Sequence, residues 1–336
     1  MDTRKELPVA RSPIVGLQYL AYPLSIILNY QECYPWFYSN YIQLQWNKQL
    51  VPHFTFFMDE NTGVKPWIDQ FMLRKSILQR NNVDIHSFII NSINDEYYFH
   101  SYFDEFYVSS RNAYQTRHFI HDVMITGYDL DSKEYTMLGF SNNRVFEQSK
   151  ISFEQFREAY ESTGDSNNYW EDQIKLMRKT DDLKYDFDLL NVYDMLQDYL
   201  LSRDSSEKFR MYMNPKTDNV YGMQIYSYLR KYFNLLIDKK INYDLRPVSI
   251  LHEHKLCMVM RLKYMFEQGY IRELPDVLEA YESIERASSM LYKLQLKHQF
   301  SSDPKSLLGA IDKLNEIELK EKQTLDILLE EIQKVL

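Results

Sequence analysis

Cysteine is scarce in this chain. Its 336 residues hold two, Cys33 and Cys257, too few for the disulfide framework of a secreted domain. A reducing, cytoplasmic compartment is expected. Glycine is also sparse, with 8 residues. None of them builds a phosphate loop or a Gly-x-Ser-x-Gly elbow, and no His-Glu-x-x-His occurs. Nucleotide-binding folds are therefore poor candidates. Basic charge is in deficit, 39 Lys and Arg against 48 Asp and Glu, for a net charge of −9. That argues against general nucleic-acid binding, which needs a basic stripe. No apolar run reaches membrane-spanning length, so no membrane association is expected. The first residues, Thr3-Arg4-Lys5-Glu6-Leu7-Pro8, lack the apolar core of a signal peptide.

Aromatic residues are abundant, at 15% with 28 tyrosines. Tyrosine buries its ring and keeps its hydroxyl near a polar partner. Half-buried strands and an aromatic-lined groove both account for this. The densest stretch spans residues 97 to 140. It reads as three consecutive strands rich in aromatic and β-branched residues. The middle strand carries His118, His121 and Asp122 at its entry and ends in the turn Gly127-Tyr128-Asp129-Leu130-Asp131-Ser132.

The length allows two domains, at roughly 100–200 residues each. Before the strands, residues 14–30 predict an apolar helix starting near Pro23, because proline suits a first helical turn. An aromatic segment follows at 34–44, and 54–58 reads as a short strand. Helices are expected at 66–79 and 84–93. Another opens at Ser152, an N-cap candidate with Gln155 three residues on. Helical periodicity then dominates at 183–201, 220–238, 248–268, 274–299 and 304–336, with 202–219 a polar loop. The last helix carries Leu307, Leu308, Ile311, Leu314, Ile317, Leu325, Leu328, Leu329, Ile332 and Val335. Such a stripe favours a partner helix within the chain, with a homodimer as the alternative. The fold class expected is α+β over 1–165, followed by an all-helical domain over 183–336.

Few residues have site chemistry. An imidazole at His121 suits a base near neutral pH; the alternative is a hydrogen-bonded core histidine. Adjacent strand residues face opposite ways, so Asp122 is not expected to orient His121. Cys33 is a nucleophile only if a base lies within reach and its pKa is lowered; otherwise it is a small buried hydrophobe. Cys257, among Val259, Met260 and Leu262, reads as a core thiol. Asp104 and Glu105 suit acid–base work or a structural role, capping or bridging to Arg111 or Arg117. His252, Glu253, His254 and Cys257 do not share one helical face, which is poor metal-site geometry. No cofactor or metal is expected.

Several runs carry a resemblance. Asp104-Glu105-Phe106-Tyr107, His118-Phe119-Ile120-His121-Asp122, Gly127-Tyr128-Asp129 and Gly139-Phe140 resemble relatives of the N-terminal domain of butirosin biosynthesis protein H. So do Pro23–Leu28, Pro35–Leu44 and Val220-Tyr221-Gly222. These are papain-like or C39-peptidase-like proteins associated with nonribosomal peptide and polyketide clusters. The resemblance implies acyl or peptidyl transfer from an acyl or peptidyl carrier protein, with the substrate on its phosphopantetheine arm. It also implies a cysteine opening the first helix, a histidine on the middle strand and a carboxylate or amide on the next. His121 fits the second position. The helix opening, Gly16-Leu17-Gln18-Tyr19-Leu20-Ala21-Tyr22-Pro23, holds no cysteine, and the orienting position falls near Gly139. Cys33 lies beyond that helix, off register. A catalytically degenerate binder of a carrier protein is therefore the alternative function. An acidic carrier would need a local basic patch, for which Lys231, Lys239, Lys240 and Arg246, or Lys293 and Lys297, are the candidates.

Overall fold

The computed structural model describes residues 3–50, 54–57, 65–163, 168–181, 183–211, 213–301 and 303–336. In chain order the elements are β1 (Arg4–Glu6), α1 (Gln18–Ile27), α2 (Tyr34–Ser39), β2 (Leu44–Asn47), β3 (Thr55–Phe56), β4 (Ile68–Arg74), α3 (Lys75–Arg80), α4 (Ile85–Asn94), β5 (Tyr98–Asp104), β6 (Ile120–Asp129), β7 (Glu134–Phe140) and β8 (Phe146–Ser152). They continue as α5 (Phe153–Glu161), β9 (Gln173–Lys179), α6 (Leu189–Leu200), β10 (Asn219–Tyr221), α7 (Ile225–Ile237), α8 (Arg246–Glu267), α9 (Pro275–Ser301) and α10 (Pro304–Gln333). Helix and sheet are mixed in the first half, and the C-terminal region is helical.

Two compact units divide the chain, each discontinuous. Unit 1 takes Met1–Cys33 and Gly63–Lys184; unit 2 takes Tyr34–Thr62 and Tyr185–Leu336. The boundaries expected near 165 and 183 differ from these, because pairing across long sequence gaps decides membership. The expected break at 164–167, and residue 58 of the expected strand, lie outside the described residues.

Unit 1 is built on a seven-stranded antiparallel sheet, ordered β4-β9-β5-β6-β7-β8, with β1 also on β6. On one side of β6, β5 pairs with Ile120–Ile125 and β1 with Gly127–Asp129. On the other side, β7 joins only from Met124 onward. Neighbouring strand residues face opposite ways, so adjacent Phe99 and His100 sample both faces. Phe99 meets Phe88 of α4 and Phe156 of α5. His100 meets Tyr22 of α1, with ring centroids 5.3 Å apart. The sheet thus lies between α1 and the pair α4 and α5. The helices at 84–93 and 152–161 form close to where periodicity places them. Asp84 accepts from Ser87 N at 2.8 Å and Ser152 from Gln155 N at 3.1 Å.

Two expectations about unit 1 need correction. Residues 68–74 form β4 rather than the middle of a helix, because β9 pairs along its whole length. Their local preference gives way to a partner about a hundred residues away. Strands β8 and β9 had no sequence expectation. The first helix starts at Gln18, with Pro23 inside it. Leu17 O already accepts from Leu20 N and Ala21 N, and Leu20–Ile27 are all buried. That burial outweighs the hydrogen bond a proline cannot donate.

Unit 2 packs α6, α7, α8, α9 and α10 with a three-stranded sheet, β10-β2-β3. Residues 219–221 pair with β2, although a helix is expected to begin at 220. The tight turn into α7 requires Gly222, whose φ is +52° and whose Cβ would stand 2.1 Å from Tyr199 O. The apolar stripe of α10 is spent on α6, α7 and α9, although Val335 remains 55% exposed.

At the centre of unit 2 lies a fully buried ion pair, Lys255 with Glu321. Lys255 Nζ is 2.7 Å from each carboxylate oxygen. It also meets Tyr199 Oη at 2.9 Å and His254 Nδ1 at 3.1 Å. Tyr199 and Tyr226 donate to Glu321 Oε2 at 3.1 and 2.6 Å. His254 donates from Nε2 to Ile42 O at 2.7 Å, which leaves Nδ1 as the acceptor for the ammonium. Every polar atom of the pair is satisfied, the condition under which such burial is tolerated. Removing one charge should strand the other. Glu321→Gln is expected to lower unfolding free energy by about 3–5 kcal/mol, measured by urea denaturation. A loss within about 0.5 kcal/mol, the range of ordinary surface substitutions, would mean the network does not hold the helices.

Candidate functional site

The residues of interest gather where β6 has an unpaired edge. Between Ile120 and Val123 no strand among the described residues covers the β7 side, and α1 fills the gap. The Asp122 carbonyl accepts there from Gln18 Nε2 at 3.0 Å and Tyr22 Oη at 3.1 Å. The Asp122 carboxylate receives three side chains. Gln18 Nε2 lies 2.9 Å from Oδ1, His121 Nδ1 also 2.9 Å from Oδ1, and His100 Nε2 3.4 Å from Oδ2. Gln18 Oε1 accepts from Phe140 N at 3.2 Å, and Gln18 Nε2 donates to Tyr22 Oη at 2.7 Å. The amide orientation of Gln18 is therefore fixed by its partners.

Asp122 does orient His121, against the alternation argument. Strand alternation describes where side chains leave the backbone, not where their ends finish. Here the imidazole folds across the free edge, with Nδ1 3.4 Å from the Asp122 carbonyl. Nδ1 carries the proton toward Asp122 Oδ1, so Nε2 is the free nitrogen. The side chain of His121 is 37% exposed, against 11% for Asp122 and 8% for His100. One histidine reaches solvent and the other does not.

Burial alone would discharge both histidines. For His121 the Asp122 carboxylate, aided by Glu105, outweighs burial, and its pKa is raised. For His100 burial prevails and the pKa is lowered; its Nδ1 has no hydrogen-bond partner among the described residues. Burial pushes Asp122 upward, but hydrogen bonds from His100 and His121 hold it well below the usual carboxylate range. The site is thus an ionised carboxylate beside an imidazole whose protonated form it favours.

The loop before β6 is locked by Asp104. Its Oδ1 accepts from Phe106 N at 3.0 Å and Phe119 N at 2.9 Å, and its Oδ2 pairs with His118 Nδ1 at 2.6 Å. These bonds override burial and lower its pKa. Asp104 is a cap, and its partner is His118 rather than Arg111 or Arg117. Arg111 is buried instead against the Phe140 carbonyl, with Met137 Sδ at 3.6 Å. It also explains Gly139. A Cβ there would come within 2.8 Å of the Arg111 guanidinium. The space near the expected orienting position holds an arginine, and the orienting carboxylate comes from β6 itself.

Cys33 stands apart from this cluster. It is buried, and burial, then Glu32, push its thiol up to about 12, with Lys179 opposing weakly. Its charged neighbours are Glu32, Lys179 and Asp181, none of which contacts His121. A nucleophilic thiol requires the reverse shift. Cys257 is a core thiol, likewise raised to about 12 by burial. His252 meets Ser288 Oγ at 3.1 Å and His254 serves the Lys255 network; among the described residues no group suits a metal ion. Lys240 and Arg246 of the suggested basic patch are paired with Asp238 and Asp244.

Gln18, Tyr22 and His100 were not foreseen as site residues. Gln18 had one available signal, its place at the helix opening. Compared with family models and with curated proteins, the chain matches none. Among the described residues no helix is long and apolar enough to cross a membrane.

The pair has a defined pH signature. The raised pKa of His121 contributes stability below about pH 6.5, its ordinary value. That contribution is lost as pH rises through the folded-state pKa. The lowered pKa of Asp122 contributes above about pH 3.9 and is lost as pH falls through its folded value. Ring-nitrogen NMR should find His121 titrating above an ordinary histidine. In Asp122→Asn it should titrate below one, because burial then acts almost alone. A wild-type His121 at or below the ordinary value would mean the carboxylate does not control it.

Proposed function

We propose that unit 1 is a papain-like scaffold that transfers an acyl or peptidyl group from a carrier-protein thioester to an amine without a covalent cysteine. His121 is the base and Asp122 its orienting carboxylate. The observation that carries this reading is the 2.9 Å Nδ1–Oδ1 contact with a solvent-reaching ring. The order of helix then strands, and the runs resembling the butirosin H group, supply the substrate class. The setting that follows is natural-product assembly in the cytoplasm.

The chemistry needs little more than a base. The acceptor gives a proton to Nε2 of His121, its nitrogen attacks the thioester carbonyl, and the C–S bond breaks with the thiolate leaving as thiol on a second nitrogen proton. Asp122 holds the tautomer and stabilises the imidazolium. A thioester is already activated, so attack does not require an enzyme-bound intermediate. Cys33, with its pKa of about 12, is protonated at neutral pH and plays no part.

A second reading has its own observation. Gln18 occupies the first position of α1, where the resemblance places the nucleophile. Its amide is committed to Asp122, Tyr22 and Phe140. A site closed in this way suits a degenerate relative that binds the carrier or its cargo without chemistry.

Aminolysis of an acyl N-acetylcysteamine thioester separates the two. The expected rate falls by about 10²–10⁴ in His121→Gln, the usual worth of a general base, and stays unchanged in Cys33→Ala. In the wild type it should rise with pH through the elevated pKa of His121. Equal rates in wild type and His121→Gln would leave the binding reading. Loss of activity in Cys33→Ala would restore the thiol.

A further inference from the structure

Phe103 pairs with His121 across β5 and β6, and Glu105 N donates to Phe119 O at 2.9 Å. Glu105 opens the tight turn Glu105–Tyr107 directly after β5, Phe119 immediately precedes β6, and the Glu105 carboxylate lies near enough to His121 to favour its protonated form. Phe119 is 39% exposed, and its ring centroid lies 5.4 Å from that of His121. The Glu105 carboxylate belongs to the same neighbourhood, with His121 among its charged neighbours. It is half-buried, and among the described residues nothing donates a hydrogen bond to it. The charged groups around it are His121, Arg111, Arg117 and Asp122. Arg111 is spent on the Phe140 carbonyl, and Arg117 lies over the Phe119 ring at 5.2 Å. Asp122 is saturated by Gln18 and the two histidines. Glu105 is therefore the one carboxylate of this cluster with open acceptor positions.

We propose that Glu105 recognises the acceptor, binding a primary amine in its ammonium form beside His121. This rests on the transfer reading above and adds the substrate's charge state and the residue that reads it. The ammonium donates hydrogen bonds to the Glu105 carboxylate, with its alkyl stem against Phe119. It gives one proton to Nε2 of His121 and becomes a nucleophile. The new C–N bond forms as the C–S bond breaks. The second nitrogen proton leaves with the thiolate as thiol, and the proton on His121 returns to solvent. The products are an amide, a thiol and one proton. Glu105 thus collects the acceptor in its abundant cationic state and hands it to the base. A neutral alcohol of the same shape lacks the charge to be held.

The test uses n-butylammonium and, as its neutral counterpart, n-butanol, each titrated into the full chain at constant ionic strength. Binding is read from the ring resonances of His121, assigned by their loss in His121→Gln. The expected result is a saturable shift with butylammonium and none with butanol. In Glu105→Gln, which keeps the shape and removes the charge, the affinity should weaken about tenfold or more, the worth of a charge-assisted hydrogen bond. Unchanged affinity in Glu105→Gln, equal response to butanol, or no saturable shift would each overturn the proposal. Thioester aminolysis, measured on the same proteins, keeps the two ideas apart. Glu105-dependent binding without aminolysis upholds recognition and sinks transfer. His121-dependent aminolysis with an amine KM unmoved by Glu105→Gln sinks recognition and upholds transfer.

Discussion

One carboxylate organises unit 1. Asp122 draws Gln18, His121 and His100 to its oxygens, while its backbone carbonyl draws Gln18 again and Tyr22. These contacts dock α1 onto the bare edge of β6, where no strand among the described residues completes the sheet. The same contacts set the charge state of the cluster. An ionised carboxylate this buried persists only with several donors around it, and each donor is a side chain with a role of its own. Gln18 fixes the helix, Tyr22 closes the edge, His100 remains neutral inside, and His121 carries the adjustable proton at the surface. Shape and chemistry therefore share one cause.

Gly139 and Arg111 show the same economy. The buried guanidinium needs carbonyl partners, and its presence forbids a side chain at Gly139. A histidine oriented from the next strand would need a carboxylate in that region. The protein instead takes the carboxylate from the residue after the histidine. That solution works because the strand edge is open. Unit 2 follows a separate logic, with a Lys255–Glu321 pair in its helical core whose own polar atoms all have partners. Glu105, by contrast, keeps open acceptor positions near His121.

Much of the architecture was legible in the residues. The central strands β5, β6 and β7, the cap Ser152, and the long C-terminal helices follow from alternation, capping chemistry and periodicity. Strands β4 and β9 did not, because their pairing joins segments far apart in sequence, and for β4 that pairing overrides the helix expected at 66–79. The start of α1 was misplaced for a related reason: Pro23 obeys a local rule, but the burial of Leu20–Ile27 is a tertiary fact. Within the site, His121 was legible by residue type. Its partner was not, since alternation speaks against Asp122 and the contact is made by side-chain ends at the free strand edge. Cys33 drew attention as a rare residue type, yet reactivity depends on surroundings, and its surroundings are buried and acidic.

The central claim is that His121 acts without a covalent intermediate. Intact-mass spectrometry of the full chain during turnover of an acyl thioester and an amine tests it most directly. The account predicts accumulation of the amide while the protein mass stays unmodified at every time point. A protein heavier by one acyl group, formed before the amide, consumed with it and absent in Cys33→Ala, would contradict it.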